Sequence, residues 1–501
     1  MGGIKSLAGQ TLWYGIPTIA SRFLGYLLNI ILFWMYQPSD TAYITQVYAF
    51  IPFLNILFTY GLETSYFRFV VNTDKEKLYN TLMISLMITS SIFMLLVLWQ
   101  TDFLAHAINL PDHPEYIMWT AWILFFDTLA TLPFARLRQE GRPRRFAFIK
   151  VASIVINMAL VIFFLNICPK LYEQNPNSIF FFWYNPEVGI GYYIIANIIA
   201  SLITLLFLAK ELGNIQLRFD AGLWKKVMNY SYPLIIVGLG GMINEMLSRL
   251  VYVRVLDLPK EEELRQLGIF GANYKLAVLI TIFIQVFRMA AEPFFFNQSA
   301  DKNAPRTYSR VMKFFVIACC FMWLAIVTNL EIIKYIGYGK NAEAYAEGLI
   351  IIPVLSMGSV FLGIYYNLSV WYKLTNRTLT GAWITLAGAA ITIILNIWWI
   401  PLFGYLGSAW ATLVCYAFMM FISYLLGQKH YHINYPVKKL FAYIAVVVIM
   451  FFVHYGIVGL YHNIYLSTIL SFVFLLLFFL LVIKVEKNEL QKIPFAKRFI
   501  K

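Results

Sequence analysis

The chain has 501 residues, of which 60% are hydrophobic, 18% aromatic and only 13% charged, with a formal net charge of +14. Soluble domains carry about 25% charged residues, and no water-exposed surface could hold this apolar excess without large patches. Composition therefore excludes a soluble globular protein and predicts a bilayer-embedded one.

A transmembrane helix needs about 20 mainly apolar residues. Runs of that kind fall at roughly 11–36, 42–67, 79–100, 115–135, 146–168, 188–209, 230–254, 268–295, 310–333, 347–371, 380–400, 404–427, 438–460 and 464–484. The fold class is thus all-α and polytopic, with about fourteen transmembrane helices. The first run is too long for the core of a signal peptide. The eleventh and twelfth are separated only by Pro401-Leu402-Phe403-Gly404.

Charge in the connecting segments follows the same count. If both termini are cytoplasmic, inner loops should collect Lys and Arg. The loop after the fourth run carries Arg136, Arg138, Arg142, Arg144, Arg145 and Lys150. Later inner loops carry Lys225, Lys226, Lys302, Arg306, Arg310, Lys313, Lys438 and Lys439. Outer loops are acidic, with Asp102, Asp112, Glu173, Glu187, Asp257, Glu261, Glu262, Glu263 and Glu343. The excess of positive charge is then topological. It predicts contact with anionic lipid headgroups and makes nucleic acid an unnecessary partner.

A weak internal repeat divides the chain. Pro17 and Pro233 occupy matching runs, and the fourth-to-fifth and tenth-to-eleventh junctions lead into runs bearing Asn157 and Asn396. The repeat predicts a six-helix lobe over 1–212, a second over 213–430, and two further helices with a tail over 431–501. Lobes of like orientation place a binding site between them. No connecting loop is long enough to fold as a separate catalytic domain, so the expectation is a transporter, not an enzyme. No Cys/His spacing suits a metal, and no cofactor is expected.

Ionisable groups inside spans cost roughly 2.5–3.5 kcal/mol at mid-depth and mark functional positions. Ten lie in or at the margins of these runs: Arg22, Glu63, Arg68, Asp127, Glu245, Arg249, Arg254, Lys275, Arg288 and Glu292. Several recur at helical spacing with other polar residues. Thr18, Arg22, Gly25 and Asn29 share a face of the first run, and Gly241, Glu245, Arg249 and Tyr252 a face of the seventh. Glu245 with Arg249, and Arg288 with Glu292, also stand as i,i+4 pairs that could neutralise each other. Arg68, Arg254 and Lys275 lie near span ends and could reach the interface. Arg suits bidentate contact with phosphate, so the pattern predicts an anionic, phosphate-bearing substrate.

The chain resembles the polysaccharide transporter family of the multidrug/oligosaccharidyl-lipid/polysaccharide (MOP) exporter superfamily. The resemblance rests on "YGLETSYFRF" (60–69), "LPFARLRQEGRPRRFAFIKV" (132–151) and "NIWWIPLFGYLGSAWATLVCY" (396–416). It implies a flippase that moves undecaprenyl-diphosphate-linked oligosaccharide across the bacterial inner membrane by alternating access. Arg22, Arg249 and Arg288 would hold the diphosphate. Glu63, Asp127, Glu245 and Glu292 would couple transport to a proton or sodium ion. The last two helices would suit a groove for the prenyl tail. The alternatives are a lipid II flippase for peptidoglycan and a cation-coupled multidrug exporter of the same superfamily.

Overall fold

The computed structural model describes residues 20, 23–176, 178, 183–213, 215–216, 218–256, 258–298, 301–375, 377–461 and 463–491, and among them every regular element is a helix. Eleven are long and apolar enough to cross a membrane. They become twelve when Lys260–Ala277 and Leu279–Arg288, bent by 40° at Val278, count as one span. The first predicted run is described only from residue 23, as the shorter helix α1 (Phe23–Met35).

The larger difference from the predicted count concerns the eleventh and twelfth runs, which form one element of 53 residues, Thr378–His430. Straight, it would be about 80 Å long, far beyond the ~30 Å hydrocarbon core. It is not straight. Gly404 has φ 57 and ψ −139, a conformation essentially reserved for glycine. The Trp399 carbonyl lies against Gly407, in space that a Cβ would need.

The chain separates into two compact units. Unit 1 comprises residues 1–272 with 385–408, and unit 2 comprises 273–384 with 409–501.

In unit 1, α2 (Pro38–Thr59) stops where Tyr60 and Gly61 take positive φ, and α3 (Leu62–Phe69) resumes at once. Asp74 caps α4 (Lys75–Trp99) by accepting from the Lys77 amide at 2.7 Å, one of the donors a helix start leaves orphaned. Prolines begin α5 (Pro114–Gln139) and α6 (Pro143–Ile162), where the missing amide hydrogen costs nothing. Next come α7 (Tyr192–Phe207) and α8 (Ala221–Val255), the latter capped by Asp220 through the Leu223 amide at 2.9 Å. One core cluster joins Tyr66, Tyr79, Leu82 and Leu132 on α3, α4 and α5 to Val227 on α8. Of α9 (Lys260–Ala277), the part up to Ala272 also belongs here. Gly268 sits directly on the Pro38 carbonyl, backbone against backbone, and Gly271 makes room for the Thr45 side chain, so α9 packs closely on α2.

In unit 2, α10 (Leu279–Gln298) and α12 (Ile351–Leu368) pack with α11 (Ala304–Val327), α14 (Val437–Tyr461) and α15 (Ile464–Leu490). The shared core includes Ile284, Phe315, Cys319, Trp323, Val447 and Phe478. The element Thr378–His430 is called α13 below; its residues 409–430 belong to this unit.

Lys313, counted with the inner-loop charges although the predicted run 310–333 contains it, is a helix residue. It is buried on α11, with Nζ 2.5 Å from Glu486 and 2.8 Å from Glu489 on α15. Glu486 also accepts from Tyr443 at 2.8 Å and Lys439 at 3.1 Å, both on α14. The two terminal helices, whose long apolar faces are exposed, are therefore fixed to α11 by a buried ionic cluster.

Candidate functional site

Arg22 lies outside the described residues, and so does the side chain of Glu292, although its backbone continues α10. The other five predicted residues can be placed.

In unit 1, Glu63 on α3 accepts a hydrogen bond from the Arg138 guanidinium at the end of α5. That guanidinium also stands 4.9 Å from the ring centroid of Phe67. Asp127, in the middle of α5, is hydrogen-bonded to Ser201 on α7 and feels the charge of Lys150 on α6. Lys150 in turn feels both Asp127 and Glu63, while its ammonium lies 4.2 Å from the Phe134 ring centroid. Tyr48, bonded to Asn197 at 2.6 Å, is a further neighbour of Asp127. Glu63 and Arg138 form an ion pair, and Lys150 lies within electrostatic reach of both carboxylates.

Lys150, counted with the inner-loop charges although the predicted run 146–168 contains it, lies inside α6, which begins at Pro143. The signal available was its position seven residues beyond that helix-starting proline, two turns into the span.

On α8, Glu245 is half-buried and Arg249, one turn later, is buried. The neighbouring Asn244 donates to the Thr385 carbonyl at 3.2 Å and accepts from Thr392 at 3.1 Å, both on α13. A buried amide with both ends engaged ties this stretch of α8 to α13.

In unit 2, Arg288 on α10 is exposed and lies over the Tyr366 ring at 4.6 Å. It lines a small pocket with Lys373 and Asn367, walled by Phe287 and Phe295. A guanidinium over an aromatic face is attracted by the ring quadrupole, which holds it in place. Each unit therefore carries an arginine within its helices, and unit 1 adds the Glu63–Arg138 ion pair. Among the described residues no three His, Cys, Asp or Glu cluster as metal ligands.

A family model described as "Polysaccharide biosynthesis protein" matches residues 7–298. No curated protein matches the chain in sequence. Among solved structures, the inward closed conformation of the lipid II flippase MurJ is similar over 94% of this chain and 98% of that one, with a TM-score of 0.72 and 14% identity. An inward-facing multidrug resistance MATE family transporter of the MOP superfamily is similar over 83% and 94%, with a TM-score of 0.62 and 13% identity. An outward-facing one is similar over 87% and 96%, with a TM-score of 0.60 and 14% identity. At these identities the likeness is one of fold.

Proposed function

We propose that this chain, which belongs to the polysaccharide biosynthesis protein family and has the fold of MOP-superfamily transporters, is a flippase for undecaprenyl-diphosphate-linked oligosaccharide in the bacterial inner membrane. In this reading it crosses the bilayer fourteen times, Gly404 turns the chain between the eleventh and twelfth crossings, and both termini are cytoplasmic.

The observation that carries the proposal is the presence of an arginine within the helices of each unit, Arg249 on α8 and Arg288 on α10. Guanidinium groups at membrane depth are expensive and are suited to phosphate oxygens. A drug-like cation would be repelled by them. In the proposed cycle, Arg22, Arg249 and Arg288 bind the diphosphate, and alternating access carries the glycan between leaflets.

Coupling falls to the carboxylates Glu63, Asp127, Glu245 and Glu292. Of these, Asp127 is the best supported, because Lys150 and Ser201 let its charge be gained or lost without stranding a bare ion. A proton or a sodium ion would serve.

The test is flipping of a fluorescent undecaprenyl-diphosphate oligosaccharide by liposomes containing the purified protein. Loss of flipping in Arg249→Ala and Arg288→Ala, with folding retained, is expected. Wild-type rates in both variants would remove the phosphate assignment. Lipid II is the second substrate to try, favoured by the likeness to MurJ that spans nearly all of both chains.

A further inference from the structure

The sequence places Arg68 at a span end, where its head could simply reach water. In the structure it lines an open groove of about 1690 Å³, solvent included, formed by the end of α3, the turn to α4 and the start of α8. Arg68, Asn72, Thr73, Lys77, Lys226 and Tyr230 supply its polar wall. Three membrane-crossing segments begin or end here, namely 38–69, 75–99 and 221–255, so the groove opens at the boundary between lipid and water.

Its charges are not equivalent. Lys77 is neutralised by Asp220 at 2.5 Å. Arg68 lies 5.7 Å from the Tyr230 ring centroid. Among the described residues, Arg68 and Lys226 have no carboxylate within ion-pair distance, and both are exposed. The arginines of the nearby α5–α6 junction are different. Arg136 pairs with Glu76 and Glu140, Arg138 with Glu63, and Arg142 and Arg145 with the buried Glu211. The groove thus keeps two uncompensated cations while its neighbours spend theirs on internal pairs.

Three features define the ligand. Two cations match a diphosphate. Asn72, Thr73 and the Lys77–Asp220 pair offer donors and acceptors for hydroxyl groups. Val71, 79% exposed at the lip, offers an apolar edge toward the acyl phase. A simple anionic phospholipid carries one phosphate charge, against the two or more of a diphosphate, and matches the pair of cations less well.

We infer that this groove is the docking station where the diphosphate head of the lipid-linked glycan first binds, ahead of the intramembrane arginines. The inference rests on the function proposed above and adds an entry site to it.

The experiment measures binding of undecaprenyl diphosphate to the full-length protein in nanodiscs, with phosphatidylglycerol as the comparison lipid. Wild type is set against Arg68→Ala/Lys226→Ala and the charge-conserving Arg68→Lys/Lys226→Arg. Thermal melting checks folding, and Arg68→Gln/Lys226→Gln replaces the alanine pair if that pair unfolds. Two lost interfacial cations should weaken binding about ten- to thirtyfold. The conservative pair should stay within about threefold of wild type, well inside one such step in affinity, and phosphatidylglycerol, with a single phosphate charge, should weaken less than undecaprenyl diphosphate in the neutral variant. Wild-type affinity in the neutral variant would overturn the groove assignment while leaving the flippase reading intact. Equal loss for both lipids would make the groove a general phospholipid site and overturn the inference. No binding of undecaprenyl diphosphate by wild type would overturn both.

Discussion

Replacing Glu486 with leucine removes the acceptor at the centre of the cluster that holds the last two helices. Glu486 is 2% exposed and Lys313 3%. The substitution strips Lys313 of its 2.5 Å partner and leaves the Tyr443 hydroxyl without its acceptor. Breaking a buried pair costs about 3–5 kcal/mol because the surviving charge is left uncompensated. Lys313 keeps Glu489 at 2.8 Å, and the Lys439 side chain is half exposed, so its share is screened. The expectation is therefore the lower end, about 3 kcal/mol. At roughly 2–4 °C per kcal/mol for a body of this size, melting should fall by about 6–12 °C. The assay is fluorescence-detected thermal unfolding in detergent for Glu486→Leu, Lys313→Met and the double variant. If the stranded charge causes the loss, the double variant melts above both singles. Additive losses in the double variant, or a single-variant shift below about 2 °C, would refute the reasoning.

Gly404→Ala forces a Cβ into a backbone region of about 1–3 kcal/mol strain, and should reduce the yield of folded protein in size-exclusion profiles, whereas Gly25→Ala, with open space at its Cβ, should not. Asp127→Asn should abolish the dependence of transport on a proton or sodium gradient in protein that still folds; unchanged gradient dependence would exclude Asp127 from coupling. The Lys260 ammonium beside Asp112 holds that carboxyl below its ordinary value. Its stabilisation is therefore present above about pH 4, the unfolded pKa, and is lost as pH falls through the lower native value. Melting of Asp112→Asn between pH 6 and 3 at low salt should show a shallower acid slope than wild type, and identical slopes would dismiss the pair.

The sequence reveals most where the physics is local. Runs of about twenty apolar residues follow from bilayer thickness alone, and Pro401 with Gly404 marks a break inside α13. Helical spacing also singled out Arg249 and Arg288, which the structure places within the helices of units 1 and 2. Partnerships between distant residues were not legible. Glu63 meets Arg138 across 75 positions, and Lys313 meets Glu486 across 173. No periodicity encodes such contacts. Charge alone gave Lys150 and Lys313 two readings, as inner-loop residues and as members of the runs 146–168 and 310–333. A lysine near a span end reads as a loop residue until the opposing carboxylate that lets it enter the span is known. The fate of Arg68 was undecidable for a related reason: snorkelling and lining a groove demand the same residue at the same position, and only the arrangement of α3 and α8 distinguishes them.

The most direct test of the central claim is transbilayer movement of fluorescent undecaprenyl-diphosphate oligosaccharide in proteoliposomes, wild type against Arg249→Ala. Movement by wild type and its loss in a folded variant is the predicted result. No movement of any diphosphate lipid, with export of organic cations instead, would contradict the account and leave the fold as all that this chain shares with the flippases.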